Sequence, residues 1–242
     1  MKTFSVTDIG KKRESNQDYV YTSDTPIGAL PNLFLVADGM GGHNAGDYAS
    51  KFTVETVVSL IQNLHGGSPV KILSDAIKEA NERLIRQAEN DPLLHGMGTT
   101  LVAMTIQGDH MIVANVGDSR LYTVGREIRQ ITEDQSLVQE MVRIGEMDSA
   151  EARLSPDKNI ITRAIGADPV VEIDFFERTI KEGEEILMCT DGLTNMVEDE
   201  DIRRIATSQR DVVEAAMKLV QTANENGGKD NITVVIVDPF QS

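Results

Sequence analysis

The run Leu33-Phe34-Leu35-Val36-Ala37 and the hexapeptide that follows it, Asp38-Gly39-Met40-Gly41-Gly42-His43, constrain this chain more than any other stretch. Five consecutive apolar residues that stop at a turn signal read as a strand buried on both faces, which needs cover on each side. A carboxylate at the tip of such a strand is costly to bury unless its charge is compensated. The glycines after it let the backbone bend sharply and approach a ligand closely. Asp38 beside exposed backbone carbonyls is therefore a candidate site for a hard cation such as Mg²⁺ or Mn²⁺. The same hexapeptide suits a strand-to-helix turn in which Asp38 only caps the next helix, because Asp and Gly dominate turns.

The cover that such a strand needs is visible on either side of it. Residues 2–9 alternate Phe4, Val6 and Ile9 with polar neighbours, and Tyr19-Val20-Tyr21 follows a polar loop. Helical stripes run over 45–64 (Ala49, Phe52, Val57, Leu60, Ile61, Leu64) and 70–90 (Ile72, Leu73, Ile77, Ala80, Leu84, Ile85). His65-Gly66-Gly67-Ser68-Pro69 closes the first helix and caps the second. Strand patterns return at 99–106, 111–116 and 120–124, with a short one at 128–131. The polar stretch 133–156 holds a short helix near 137–144 and reads as a surface excursion. Further strands are predicted at 160–166, 170–176, 184–190 and 232–237, with helices at 198–206 and 211–224. Strands at antiparallel spacing with one early and one late helix group predict an α+β domain of two packed sheets, helices on each outer face. No linker or repeat interrupts residues 1–242, so one domain is expected.

Composition narrows the partners. Twenty-three Lys and Arg against 39 Asp and Glu leave a net charge of −16. Such a surface repels nucleic acid and anionic membrane, and it repels phosphorylated substrates unless bound cations reverse the field locally. The single cysteine, Cys189, sits in the apolar run Ile186-Leu187-Met188 and reads as core packing. The N-terminus lacks a signal-peptide apolar core and no run reaches membrane-spanning length, so a cytoplasmic location is expected.

Asp38 is not alone. Asp191 follows the buried strand expected at 184–190, Asp230 precedes the strand 232–237, and Asp118 occupies the tight turn Val116-Gly117-Asp118-Ser119. If their strands are neighbours, the charges crowd, and a metal cluster relieves the repulsion. One cysteine and no paired histidines argue against zinc.

Seven motifs occur in order: Arg13-x-x-Asn16-Gln17-Asp18, Asp38-Gly39-Met40-Gly41-Gly42-His43, Gly98-Thr99-Thr100, Asn115-Val116-Gly117-Asp118-Ser119-Arg120, Thr162-Arg163-Ala164-Ile165-Gly166, Thr190-Asp191-Gly192-Leu193 and Asp230-Asn231-Ile232-Thr233. From about residue 5 to 237 the chain resembles the metal-dependent protein serine/threonine phosphatases of the 2C type (PPM), in their compact bacterial form. The resemblance implies a central β-sandwich of two antiparallel sheets flanked by helix pairs, in α-β-β-α layers, with two or three Mg²⁺ or Mn²⁺ ions at one end. Asp38 would bridge two metals, the Gly39 carbonyl would ligate the second, and Asp191 and Asp230 would complete the first site. Asp18 would hold water around the metals, Asp118 with Asp191 would take a third, weaker ion, and Arg13 would grip the substrate phosphate. The family's flap corresponds to about 136–160.

The implied reaction is hydrolysis of phosphoserine and phosphothreonine in proteins by metal-activated water, with Arg13, Asp18 and Asp38 as the catalytic set. The implied partners are phosphorylated proteins and a cognate serine/threonine kinase with its substrates, in bacterial signalling, the enzyme acting as a monomer. Three positions depart from the pattern of some members. Met40 stands where a histidine acid can occur, which makes nearby His43 a candidate acid. Gln17 stands where a glutamate can occur, and Asn195 where an aspartate for the third metal can occur. Two other readings compete: an inactive relative that binds phosphoproteins or metals without turnover, and an acidic structural domain. The joint presence of Arg13, Asp38, Asp191 and Asp230 counts against the first of these. Carboxylates at four turns count against the second.

Overall fold

The structure, a computed structural model, describes residues 1–42 and 45–241. Two antiparallel sheets are stacked face to face. One is ordered β1 (Lys2–Asp8), β11 (Ile232–Asp238), β10 (Glu185–Cys189), β7 (Arg120–Val124), β8 (Ile128–Gln130). The other is ordered β2 (Asp18–Ser23), β3 (Leu33–Met40), β5 (Leu101–Gln107), β6 (His110–Val116), β9 (Asp174–Thr179), and the two-residue β4 (Gly98–Thr99) pairs with the end of β3.

The apolar run of β3 explains the layering. Its residues alternate between two environments, as the period of a strand requires. Leu33, Leu35 and Ala37 face helices α1 (Ala45–Gln62) and α2 (Pro69–Asn90), whose Val54, Val57, Ile61, Leu73 and Ile77 share that core. Phe34 and Val36 face the opposite sheet and meet Met104, Val113, Ile186, Met188 and Val235. The second sheet repeats the scheme. Leu187, Cys189, Val234 and Ile236 face α6 (Asp199–Ser208) and α7 (Val212–Glu225), whereas Met188 and Val235 face inward. Three apolar interfaces therefore separate four layers, α-β-β-α. Cys189 is fully buried in one of them, and burial pushes its thiol far up, so it packs as a small hydrophobe.

Helix α2 starts where the sequence says: Ser68 accepts from the Lys71 amide and Pro69 is the first helical residue. Between β8 and β9 lie two short helices, α3 (Leu137–Arg143) and α4 (Ser149–Leu154), the latter closed by a capping box of Asp148 and Glu151. A four-residue turn of helix, α5 (Asp191–Thr194), begins at Asp191 itself. No described helix is long and apolar enough to cross a membrane.

The strands expected over 160–166 and 170–176 differ from this. The first contributes only isolated bridges, Thr99 with Ile165 and Ser136 with Ile161, and β9 starts at Asp174. The reason lies in α2. Asn81, almost fully buried, accepts from the Gly166 amide (2.7 Å) and donates to the Asp168 carbonyl (2.9 Å). Those backbone groups are thus satisfied by a side chain instead of a ladder, and Gly166, at φ +91°, turns the chain away.

Neighbours on β3 point into different cores, so Phe34→Ala and Leu35→Ala should each lower unfolding free energy by roughly 2–5 kcal/mol in urea denaturation. A near-neutral result at either position would mean that its face is not a packed core.

Candidate metal centre

Antiparallel order brings five aspartates to one end of the sandwich. Asp18 opens β2 and Asp38 stands directly opposite it near the end of β3. Asp118 lies in the β6–β7 turn, Asp191 follows β10, and Asp230 precedes β11. Because β7, β10 and β11 are adjacent and alternate in direction, those last three positions fall at the same edge. Asp38, Asp118, Asp191 and Asp230 line one cavity of about 250 Å³, together with Arg13 and Gly39.

Each carboxylate is held differently. Asp18 is 5% exposed, and its Oδ2 accepts from the hydroxyls of Thr190 (2.9 Å) and Thr233 (2.7 Å). Its Oδ1 is buried without a hydrogen-bond partner among the described residues. Asp191 accepts at Oδ2 from Asn195 Nδ2 (2.8 Å), and its Oδ1 is likewise buried and unpartnered. Asp230 accepts at Oδ2 from Arg13 Nη2 (2.8 Å) and at Oδ1 from the Asn231 amide (2.8 Å). Asp38 is fixed through its backbone: its amide donates to Thr100 Oγ1, and its carbonyl accepts from Thr99 Oγ1 and the Thr100 amide, all at 2.9 Å. Thr100 Oγ1 also lies 2.8 Å from Ser119 Oγ, which ties the Asp38 strand to the turn that carries Asp118.

Two glycines are required by contact. A Cβ on Gly39 would lie 1.9 Å from the Gly46 carbonyl oxygen, so only glycine lets α1 descend onto the end of β3. Gly117 has φ +100°, and a Cβ there would meet the Thr100 side chain at 2.6 Å.

The electrostatics follow from burial and crowding. Burial, then Asp18, Asp191, Asp118 and Asp230, push the Asp38 carboxyl well above the usual carboxylate range. Burial raises Asp18 to about 7, against the pull of the two threonine hydroxyls. Asp118 rises to about 8 through burial, Asp191 and Asp134, with Arg120 opposing. Asp191 rises to about 6 through burial and Asp230, with Arg120, Arg13 and Lys158 opposing.

The residues present fit divalent cations. The available donors among the described residues are hard oxygens, and two buried carboxylate oxygens have no hydrogen-bond partner there. Among the described residues, however, no three of these groups converge as a finished cage, and Arg13 sits on Asp230. An ion held by Asp230 would have to compete with Arg13 for that carboxylate.

The structure thus brings Arg13, Asp38, Gly39, Asp118, Asp191 and Asp230 into one cavity, with Asp18 buried opposite Asp38. His43 lies outside the described residues. Sequence reasoning gave no role to Thr190, Thr233, Thr99 and Thr100, although all four lie inside the seven ordered motifs. Nor did it find Asn231, whose amide bridges the Ile9 and Ser15 carbonyls (both 2.9 Å) and whose Oδ1 accepts from the Gln17 amide. Asn159 and Ile161, which also line the cavity, carry no signal in the sequence at all.

Comparison with known proteins gives a concordant result. The family model described as Protein phosphatase 2C matches residues 10–234. The serine/threonine phosphatase stp of Listeria innocua is 39% identical over 241 residues, covering 96% of this chain and 93% of that protein. The crystal structure of the serine/threonine phosphatase Stp1 from Staphylococcus aureus superposes with a TM-score of 0.91 at 33% identity, covering 97% of this chain and 93% of that one. The catalytic domain of the serine/threonine protein phosphatase PstP, solved in complex with two manganese ions, gives a TM-score of 0.84 at 35% identity, with 97% and 96% covered. By fold, by motif order and by sequence, this chain belongs to the protein phosphatase 2C family.

Proposed function

We propose that this chain hydrolyses phosphoserine and phosphothreonine in proteins at a binuclear or trinuclear Mg²⁺ or Mn²⁺ centre. Residues 1–242 would act as one catalytic domain, with 136–160 as a flap beside the site. The observation that carries this reading is the pair of buried, unpartnered oxygens, Asp18 Oδ1 and Asp191 Oδ1, in a nest of mutually repelling carboxylates. Repulsion of that kind calls for cations. All three relatives are by name serine/threonine phosphatases, and the PstP structure holds two manganese ions, which agrees with this set of oxygen donors.

In this reading Asp38, the Gly39 carbonyl, Asp191 and Asp230 would hold two ions, and Asp118 with Asp191 would take a third. Divalent cations there would supply a water of lowered pKa and offset the charge of the phosphate. The protein's own groups do the rest. Asp18 cannot swing away, since two hydroxyls hold Oδ2, so Oδ1 stays available to accept a hydrogen from the attacking water. Arg13 turns its guanidinium fork from Asp230 to two phosphate oxygens, the geometry for which arginine is suited. Asn195 fixes Asp191 by donating to it, yet brings no charge of its own, so a third ion there would be held weakly. Part of the flap, Ala152, Arg153, Lys158 and Asn159, borders a second cavity beside Asp118 and Asp191. The proposed setting is the cytoplasm, with a serine/threonine kinase supplying the phosphoproteins and the phosphatase working as a monomer.

Hydrolysis of a small aryl phosphate should vanish in excess chelator and return with Mn²⁺. Asp38→Asn should lower kcat about a thousandfold, the equivalent of roughly 4 kcal/mol of lost stabilisation. Full activity in chelator would overturn the metal assignment. A second expectation concerns pH. Asp18, Asp118 and Asp191, at about 7, 8 and 6, lie above their ordinary 3.8. Between 3.8 and those values the folded protein keeps protons that the unfolded chain has released. Metal-free stability therefore declines as pH rises through that window and levels off above it. Mn²⁺ should accordingly raise Tm more at pH 8 than at pH 5 in scanning calorimetry, whereas equal shifts would place the ion away from these carboxylates.

A further inference from the structure

The second cavity, about 350 Å³, shares Asp118, Asn159 and Asp191 with the catalytic one, so a single ligand can occupy both. Its walls carry three cationic side chains in a chain whose net charge is −16. Two of the three are committed. Arg120 forks onto Asp134, with Nε 2.9 Å from Oδ1 and Nη2 2.6 Å from Oδ2. Arg153 pairs with Glu198 (2.8 Å) and donates to the Thr194 carbonyl (3.0 Å). Lys158 is half-buried, and its ammonium has neither an ion pair nor a hydrogen bond among the described residues.

The surroundings of Lys158 carry charges of both signs. Burial pulls it below the usual lysine range, Asp191 opposes, and Arg153, Lys229 and Arg120 add to the lowering. Four aspartates line the same cavity, but Asp134 is taken by Arg120, Asp199 accepts from the Tyr122 hydroxyl, and Asp118 and Asp191 belong to the proposed metal site. Lys158 is therefore the cavity's one cation without a carboxylate partner among the described residues, at the rim of a site for phosphate esters.

We propose that Lys158 binds a second oxyanion of the substrate, a carboxylate or a further phosphate on a residue flanking the one being dephosphorylated. A lysine ammonium is a compact charge that suits either group. The substrate class is thus a phosphorylated segment that is itself acidic or multiply phosphorylated. This rests on the phosphatase reading above and extends it from the bond cleaved to the sequence around that bond. The chain's overall negative charge sharpens the choice, because an acidic segment is repelled everywhere except where cations gather.

The test compares kcat/KM of the Mn²⁺-loaded full chain on four phosphothreonine peptides of one length. One has neutral flanks, two carry glutamates on the N-terminal or the C-terminal side, and one carries a second phosphothreonine. An aryl phosphate without flanks is the reference. At least one charged peptide should exceed the neutral one roughly threefold to tenfold, chiefly through KM, as expected for a partly exposed charge pair. Preference for the glutamate peptides alone identifies acidic segments; preference for the doubly phosphorylated peptide alone identifies phosphate clusters. Lys158→Ala should bring the ratio of charged to neutral peptide near one, Lys158→Arg should retain it, and Lys158→Glu should invert it. Ratios taken within one variant cancel any general loss of activity. A ratio near one in the unmodified chain, or one that survives Lys158→Ala, overturns the assignment. Failure to hydrolyse any peptide or the aryl phosphate would instead bring down the phosphatase reading itself.

Discussion

Mutual repulsion among five aspartates is the force that the rest of this fold has to resist. Each carboxylate at the end of the sandwich raises the cost of ionising its neighbours, and burial raises it further. Such a site holds together only if the backbone is fixed by something unconnected with it. The three apolar interfaces provide that. Strands β3, β10 and β11 are buried on both faces for most of their length, so their ends cannot separate without opening a core.

Local devices then set each carboxylate. Thr190 and Thr233 hold one oxygen of Asp18 and leave the other unpaired among the described residues, Asn195 does the same for Asp191, and Arg13 partly neutralises Asp230. These contacts come from segments up to 217 residues apart in the chain. They lower the repulsion without removing it. Arg120, committed to Asp134 and bonded to the Tyr122 hydroxyl, contributes a fixed positive charge near Asp118 and Asp191. The same balance governs substrate access. A polyanionic protein that handles phosphorylated chains needs its positive field confined to the site, and Arg13 and Lys158 stand at that site's two cavities.

Much of the architecture is legible along the chain. The unbroken run Leu33–Ala37 demands cover on both faces, and early and late helix groups supply it on opposite sides of two sheets. The aspartates are legible too, because Asp beside an apolar strand conflicts with its surroundings unless function explains it. Residues 160–173 were not legible. Their apolar pattern imitates a strand, and only Asn81, about 85 positions away, satisfies the backbone in another way. The threonine clamps escaped notice for a related reason: a hydroxyl next to a motif aspartate looks like any other strand threonine until its partner arrives from another strand.

By itself the sequence determined the layers, the helix caps and which carboxylates were out of place, since periodicity, capping and charge burial are properties of neighbouring residues. Only the tertiary structure decided that Asp18 faces Asp38, that Arg13 rests on Asp230, and that the Lys158 ammonium has no partner among the described residues although it lies beside Asp191. Those facts depend on strand order and register, which are set by packing between distant segments and leave no local mark in the chain.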